Sequence, residues 1–300
     1  MRYLVTGALG AIGAWTVRAL LDRGHDVVTY DLGGSEHRLR LALSDDEIAA
    51  LTRVDGDVRE LAQLERVMNE YEVNAVIHLA ALQVPFVRAD PVAGAQVNVT
   101  GTVNVFEAVR RSDRMELPVV YASSIAALAH EPGAHPSTLY GIFKRANEGT
   151  AERYFADYGV SSVGLRPHTV YGPGRDQGVT SAPTAAMVAA AQGREFQIPF
   201  GGSAQFQYVA DAGEAFVRAS EARLEGASVH NLDGPVATMQ EVIGTIEQAA
   251  PEAAGLITAA ADPLPFPSSV DPASFIELVG GPVSRPLADG VAESIARFRT

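Results

Sequence analysis

The chain has 300 residues, 47% of them hydrophobic, enough to bury a large core in one large domain or two lobes. Its formal charge of −13 argues against a general nucleic-acid binder, because phosphate contacts need clustered Lys and Arg. With no cysteine and seven histidines that form neither an H-x-x-x-H nor an H-E-x-x-H pair, disulfides and thiolate metal sites are excluded and no metal is expected.

The first residues, MRYLVTGALG, go straight into a strand pattern without a charged leader or cleavage site, and no apolar run approaches a membrane span. A cytoplasmic protein with no membrane partner is expected. Strands are predicted at 2–6, 26–31, 51–57, 74–80, 118–124 and 161–167. Helical patterns lie between them at 11–24, 59–72, 92–111 and 136–159, with Gly24 and Gly159 as stops. Strands that are apolar almost throughout, alternating with helices, read as a parallel sheet covered on both faces. The second half is less regular. It reads as a helix at 179–193, a strand at 205–209, a helix at 210–226, a strand at 229–234 and a helix at 238–250. PLPFPSSVDP (263–272) is proline-rich and extended, a segment expected to wrap a surface.

Two motifs carry chemistry. TGALGAIG (6–13) follows the first strand and opens the first helix, spacing Gly7, Gly10 and Gly13 as G-x-x-G-x-x-G. Backbone N–H groups at a helix N-terminus attract a pyrophosphate, and glycines let it approach closely. Asp31 ends the second strand, where a carboxylate accepts from adenosine ribose hydroxyls and repels a 2′-phosphate, favouring NAD over NADP. His37, Arg38 and Arg40 read as a solvated loop. The second motif is YGIFK (140–144), which puts Tyr140 and Lys144 one helical turn apart on the same face. Alone, that pair reads as a surface aromatic and a solvated lysine.

The ordered set of motifs resembles an extended short-chain dehydrogenase/reductase, of the NAD-dependent epimerase/dehydratase family, over nearly the whole chain. TGALGAIG matches the family's T-G-x-x-G-x-x-G, and DGDVRE (55–60), HLAA (78–81), NVTGT (98–102), YASS (121–124), YGIFK, LRPHTVYGPG (165–174) and QYVADAGEA (207–215) follow in its order. The resemblance implies an α/β fold. A Rossmann-type doubly wound parallel sheet would take 1–166 plus about 205–232, and a small mixed substrate lobe about 167–204 and 233–300.

It also implies NAD held by Gly7, Leu9, Gly10, Ala11, Ile12, Gly13, Asp31, Asp57, Val58, Leu79, Ala80, Ala81, Tyr140, Lys144, Pro167, Thr169 and Val170. Asp57 would bind the adenine amino group and Val58 cover the ring. In the implied chemistry Tyr140 takes the proton of a substrate hydroxyl, Lys144 holds the nicotinamide ribose and favours the phenolate, and Ser124 hydrogen-bonds the substrate oxygen. Asn98 would hold backbone geometry or a proton-relay water. Ser123 competes for the serine role, since neighbouring side chains on a strand point opposite ways, and the motif favours Ser124.

The chain departs from relatives that act on nucleotide sugars. Ala204 stands where they carry a diphosphate-binding Arg, and TAAADPLP (258–265) lacks a second one. The expected substrate side offers Gln83, His130, His168, Arg175, Gln177, Thr180, Gln205 and Gln207, a polar and mostly neutral set suited to a hydroxylated small molecule, with Arg175 available to a carboxylate. Hydride transfer at a secondary alcohol carbon of a sugar, sugar acid or similar molecule is the favoured function. A UDP-hexose 4-epimerase is the alternative, and a non-catalytic NAD-sensing scaffold is the alternative of another class. Ile125 and Ala126 after Ser124 disfavour dehydration. Relatives pair as homodimers through the helices around 93–111 and 138–158, where Ala108, Ile142, Ala146, Thr150 and Phe155 are candidates for the face.

Overall fold

The computed structural model describes residues 1–129 and 134–299. In chain order its strands are β1 (Arg2–Thr6), β2 (Asp26–Asp31), β3 (Thr52–Asp55), β4 (Ala75–His78), β5 (Val119–Ala122), β6 (Ser162–Arg166), β7 (Thr169–Tyr171), β8 (Phe196–Ile198), β9 (Ser203–Tyr208), β10 (Ala227–Asn231), β11 (Val236–Thr238) and β12 (Ile257–Ala259). The helices are α1 (Ala11–Asp22), α2 (His37–Ala42), α3 (Asp45–Ala50), α4 (Leu61–Glu70), α5 (Val84–Ala89), α6 (Pro91–Ala95), α7 (Gly101–Arg110), α8 (Leu139–Tyr158), α9 (Ala182–Ala191), α10 (Val209–Glu221), α11 (Met239–Ala249), α12 (Ala273–Val279) and α13 (Leu287–Phe298). None of these helices is long and apolar enough to cross a membrane.

Seven strands form one all-parallel sheet in the order β10-β6-β5-β4-β1-β2-β3. Parallel neighbours need crossovers, and the crossovers put helices on both faces, which is why the strands are apolar on both sides. The period of two is visible in β1. Tyr3 and Val5 pack with Ala14, Leu20, Phe216 and Phe275 on the face covered by α1, α10 and α12. Leu4 packs with Leu64, Val67, Phe106 and Ala151 on the face covered by α4, α7 and α8. The strand order reverses between β1 and β4, and such a switch point opens a crevice at the carboxyl ends of the strands.

The smaller lobe has its own core of Met187, Phe206, Met239, Ile246 and Val291, between a three-stranded sheet (β11-β9-β7) and α9, α11 and α13. Its boundary differs from the expected one at two places. β9 pairs with β7 and β11 rather than with the large sheet, so 205–208 belong to the small lobe. Phe275 of α12 sits in the large core, so part of 233–300 covers the Rossmann domain. The proline-rich stretch is a strap across both lobes. Ser137 donates to Pro265 O (3.0 Å), His168 to Pro267 O (2.8 Å), and Val270 N to Gln205 Oε1 (3.2 Å).

Three local features position the site. The α8 helix starts at Leu139 rather than Pro136, because extended Thr138 caps it by accepting from Gly141 N at 3.0 Å, and it stops at left-handed Gly159. The predicted helix at 92–111 is broken by a π turn at Gln96–Thr100. There the Asn98 carbonyl accepts from Thr102 Oγ1 (2.8 Å) and Asn147 Nδ2 (2.8 Å), side-chain donors that replace helical partners. The expected solvated loop around His37 holds α2 and α3 instead. Leu39 and Ile48 are buried, and Ser44 with Glu47 closes a capping box whose S-x-x-E spacing is legible in the sequence.

Candidate active site

A cleft of about 990 Å³ runs along the carboxyl ends of the strands, from the β1–α1 turn past Asp31 and Asp57 to Ser124, Tyr140, Arg175 and the strap at Leu264–Phe266. Its first part is built from Gly7, Leu9, Gly10, Ala11, Ile12 and Gly13 around the amino end of α1. A side chain at Gly13 would strike the Gly7 carbonyl, so only glycine lets the helix lie this close to the turn. At Gly10 an added Cβ would meet nothing nearer than that same carbonyl at 3.1 Å, and its other sides are open to the cleft. The opening N–H groups of α1, which lack helical partners, are the donors there.

Asp31 Oδ2 accepts from Leu9 N (2.9 Å) and Oδ1 from Leu32 N (2.9 Å), fixing its carboxylate at the cleft edge. Burial raises its pKa, opposed by those amides and by Arg38. Asp57 is held by Arg59, whose N–H and guanidinium keep its pKa low, and Val58 is packed over Gly101. Leu79, Ala80 and Ala81 line the floor after β4, with Leu79 N donating to Thr6 O at 3.0 Å. Glycine turn, amide donors and edge carboxylate together fit a dinucleotide.

At the other end Ser124 follows β5 in extended conformation, its Oγ accepting from Ala126 N at 3.1 Å. Ser123 points the opposite way and donates to Glu148 Oε1 at 2.6 Å, inside a buried cluster that includes Arg166. Tyr140 and Lys144 rise from one turn of α8. The ammonium lies 5.6 Å from the phenol ring centre and donates to Ala122 O at 2.6 Å. Burial pushes the Lys144 pKa down to about 8, against the pull of Glu148. Burial pushes the Tyr140 phenol up, against the Ser124 hydroxyl and the charge of Arg175, which both favour the anion.

Several expected residues do something other than line the site. Both amide groups of Asn98 bond Leu82, with Nδ2 donating to its carbonyl (2.8 Å) and Oδ1 accepting from its N–H (2.7 Å). Asn98 thereby holds the backbone of the 79–83 segment that lines the cleft. Thr169 is fully buried in β7, while Pro167 and Val170 on either side reach the cleft. Gln205 is 2% exposed and ties Leu232 O to the strap, away from the cleft. His168 borders the cleft, yet both its nitrogens are engaged, by Thr169 Oγ1 (3.1 Å) and Pro267 O (2.8 Å). Burial holds its pKa down to about 4, so it is a neutral strut for the strap. Gln207 holds His168 N.

Gln83, Arg175 and Thr180 do converge, and exposed Gln177 lines the same wall. His130 lies outside the described residues.

Sequence reasoning missed the contacts that close the cleft from the side of α2. Arg38 bonds Leu9 O (3.1 Å) and, with His37, holds Asp176 in the turn after β7. Only spatial proximity over 138 residues joins Arg38 to Asp176, so no local signal announces it. Asn147 and Glu148, one turn beyond Lys144, were findable from the helical period. Among the described residues no cluster of metal-ligating side chains occurs.

The profile described as NAD dependent epimerase/dehydratase family matches residues 3–232. The chain belongs to that family. A UDP-glucose 4-epimerase of Mycolicibacterium smegmatis is 31% identical over an alignment covering 100% of this chain and 99% of the relative. The UDP-glucose 4-epimerase of Thermus thermophilus, solved with NAD, superposes with a TM-score of 0.83 at 25% identity over 100% of this chain and 99% of that one. The Thermotoga maritima UDP-glucose 4-epimerase gives 0.86 at 22% identity, with 100% of this chain and 99% of that one covered. This family member is thus an NAD-dependent enzyme of the oxidoreductase and epimerase type, with a Rossmann-type fold. NAD supplies the hydride acceptor and donor, and the glycine turn and Asp31 are the groups that fit it.

Proposed function

We propose that the chain catalyses hydride transfer at a secondary alcohol carbon of a small hydroxylated molecule, a sugar or sugar acid, through Ser124, Tyr140 and Lys144. One observation carries this reading: a single turn of α8 sets the Lys144 ammonium 5.6 Å from the Tyr140 ring centre in a cleft that Ser124 also lines. Tyr140 removes the proton of the reacting hydroxyl. Ser124 hydrogen-bonds the same oxygen as it becomes a carbonyl. Lys144 holds the nicotinamide ribose, while the Ser124 hydroxyl and the charge of Arg175 favour the phenolate against the burial that opposes it. Leu9 to Gly13, Asp31, Asp57, Val58 and the 79–81 floor hold the rest of the dinucleotide.

Two features favour a free substrate over a nucleotide sugar. Ala204 is 1% exposed inside β9, and no basic side chain stands on 258–265. The second reading, a UDP-hexose 4-epimerase, is supported by the full-length likeness to the M. smegmatis enzyme. Following absorbance of NADH with aldoses, aldonic acids, uronic acids and UDP-sugars separates them. NADH accumulation with a free sugar or sugar acid is expected. Conversion of UDP-glucose without net NADH would establish the second reading instead.

The same reading includes a homodimer formed by the outer faces of α7 and α8. Ile142 (37%) and Tyr158 (59%) are exposed there beside Ala146, whereas Ala108 (2%) faces its own core and contributes nothing. Light scattering on the eluting protein should give twice the 31.6 kDa chain mass, and a monomer mass contradicts the pairing.

A further inference from the structure

Arg175 sits in the turn after β7 and lines the cleft with Tyr140, Gln83 and Thr180. Its Nη1 donates to Gln83 Oε1 at 3.2 Å and its Nη2 to Thr180 Oγ1 at 3.0 Å, both neutral acceptors. Its Nε is buried without a hydrogen-bond partner. Among the described residues no carboxylate forms an ion pair with it. The adjacent Asp176 is bonded by Arg38 and His37. A guanidinium is always charged and presents a planar fork of donors. Withdrawing one from water beside neutral groups alone is unfavourable, and the burial already lowers its pKa. An anion that joins it in the cleft removes that imbalance.

The surrounding chain is shaped to this arrangement. Gly178 has φ +87, and a side chain there would strike Gln83 Oε1, the atom that holds Arg175. The other cations on the cleft wall are bonded elsewhere or open to water. Lys144 donates to Ala122 O, Arg38 bonds Leu9 O and Asp176, and Arg88 is exposed on α5. The strap residues Leu264, Pro265 and Phe266 bring no charge to this wall. Arg175 and Tyr140 line the same cleft, and the Arg175 charge favours the Tyr140 phenolate.

We propose that Arg175 binds a carboxylate of the substrate, which is therefore a hydroxy acid carrying both the reacting alcohol and the anion. The identity of the alcohol's partner rests on the hydride-transfer reading above, whereas the anion site rests on Arg175 itself. A carboxylate matches one guanidinium fork two oxygens to two N–H groups. A diphosphate shares the anionic-oxygen chemistry but carries more charge than this single guanidinium answers, with Ala204 where a second Arg would stand.

Binding, separated from turnover, tests this. The NAD-loaded Tyr140→Phe protein is titrated calorimetrically with aldonic and uronic acids, with the aldoses and alditols of matching hydroxyl arrangement, and with UDP-glucose. At least one acid should bind roughly 30-fold or more tightly than its neutral counterpart, and adding Arg175→Gln should erase the difference. Arg175→Lys keeps the charge but loses the fork, and should retain part of it. NAD affinity, measured in parallel, certifies that each variant is folded.

Neutral sugars binding as tightly as acids, acid binding that survives Arg175→Gln, or no acid bound at all would each overturn the proposal. Binding of UDP-glucose that depends on Arg175, without acid binding, would assign the site to phosphate and overturn it too. Failure of the hydride-transfer reading shows elsewhere, as wild-type turnover that Tyr140→Phe leaves intact.

Discussion

Tyr140→Phe should lower kcat by about 10³-fold or more while NAD affinity changes by less than roughly twofold. On the proposed mechanism the phenol oxygen takes the substrate proton, and phenylalanine keeps the ring that packs beside Lys144. The proton must otherwise go to water, and proton transfer by a positioned side chain contributes about 10²–10⁴-fold. Burial holds the free phenol above its ordinary value of 10.0, so the anion forms only when positive charge gathers around it. A rising activity limb with pH is therefore expected in the wild type and should vanish in the variant's residual rate. Single-turnover NADH formation reads both quantities. Unchanged kcat would remove Tyr140 from the mechanism.

Lys144→Met should abolish most activity and at the same time stabilise the folded protein near pH 7. Lys144 is 3% exposed, and burial moves its pKa from 10.5 to about 8. That fall corresponds to a penalty of roughly 3 kcal/mol for holding the charge in the fold at pH 7. Loss of the hydrogen bond to Ala122 O offsets about 1–2 kcal/mol of it, leaving a net gain on the order of 1–2 kcal/mol for methionine, which fills similar space.

The sign fixes the pH window. Between about pH 8 and 10.5 the unfolded chain still binds the proton that the folded one has released, so wild-type stability rises with pH there. The methionine variant lacks that slope, and its advantage should disappear by the top of the window. Denaturant unfolding at pH 7 and at pH 10 measures it. A less stable variant at pH 7 would mean that Lys144 supports the fold rather than straining it. A buried ammonium retained at a cost in stability fits the trade-off between stability and activity that the proposed catalytic role implies.

How much of this was readable in advance follows from the range of the interactions. The strands β1, β2, β4, β5 and β6 and the helices α1, α4 and α10 announce themselves because each buries a continuous apolar run or stripe. Tyr140, Lys144 and the glycine turn were legible because their partners lie within one turn or one loop of sequence. Ser123 and Ser124 were separable in principle by strand alternation, and the Glu148 bond to Ser123 shows which side each takes.

The substrate wall was not legible. Gln205 and His168 look like ligands in sequence because they are polar, yet each bonds a strap that lies 65 and 99 residues away. The strap itself has no periodicity, so its path gives no advance sign of what its backbone will engage. Asn98 is the reverse case. Its position was expected, but its role depended on a π turn that a smooth helical period conceals. Arg38 and Asp176 illustrate the same limit, since charges read as solvated become a clasp only when α2 and the β7 turn meet.

The central claim is that the dinucleotide lies across the carboxyl edge of the sheet with its nicotinamide ring beside Tyr140. A crystal structure of the NAD complex tests it most directly. The account predicts the pyrophosphate against the α1 amino end, the adenosine ribose on Asp31, the other ribose on Lys144, and the nicotinamide next to the phenol oxygen. A nicotinamide bound away from Tyr140 and Ser124, or a reversed dinucleotide with adenine at that end, would contradict it.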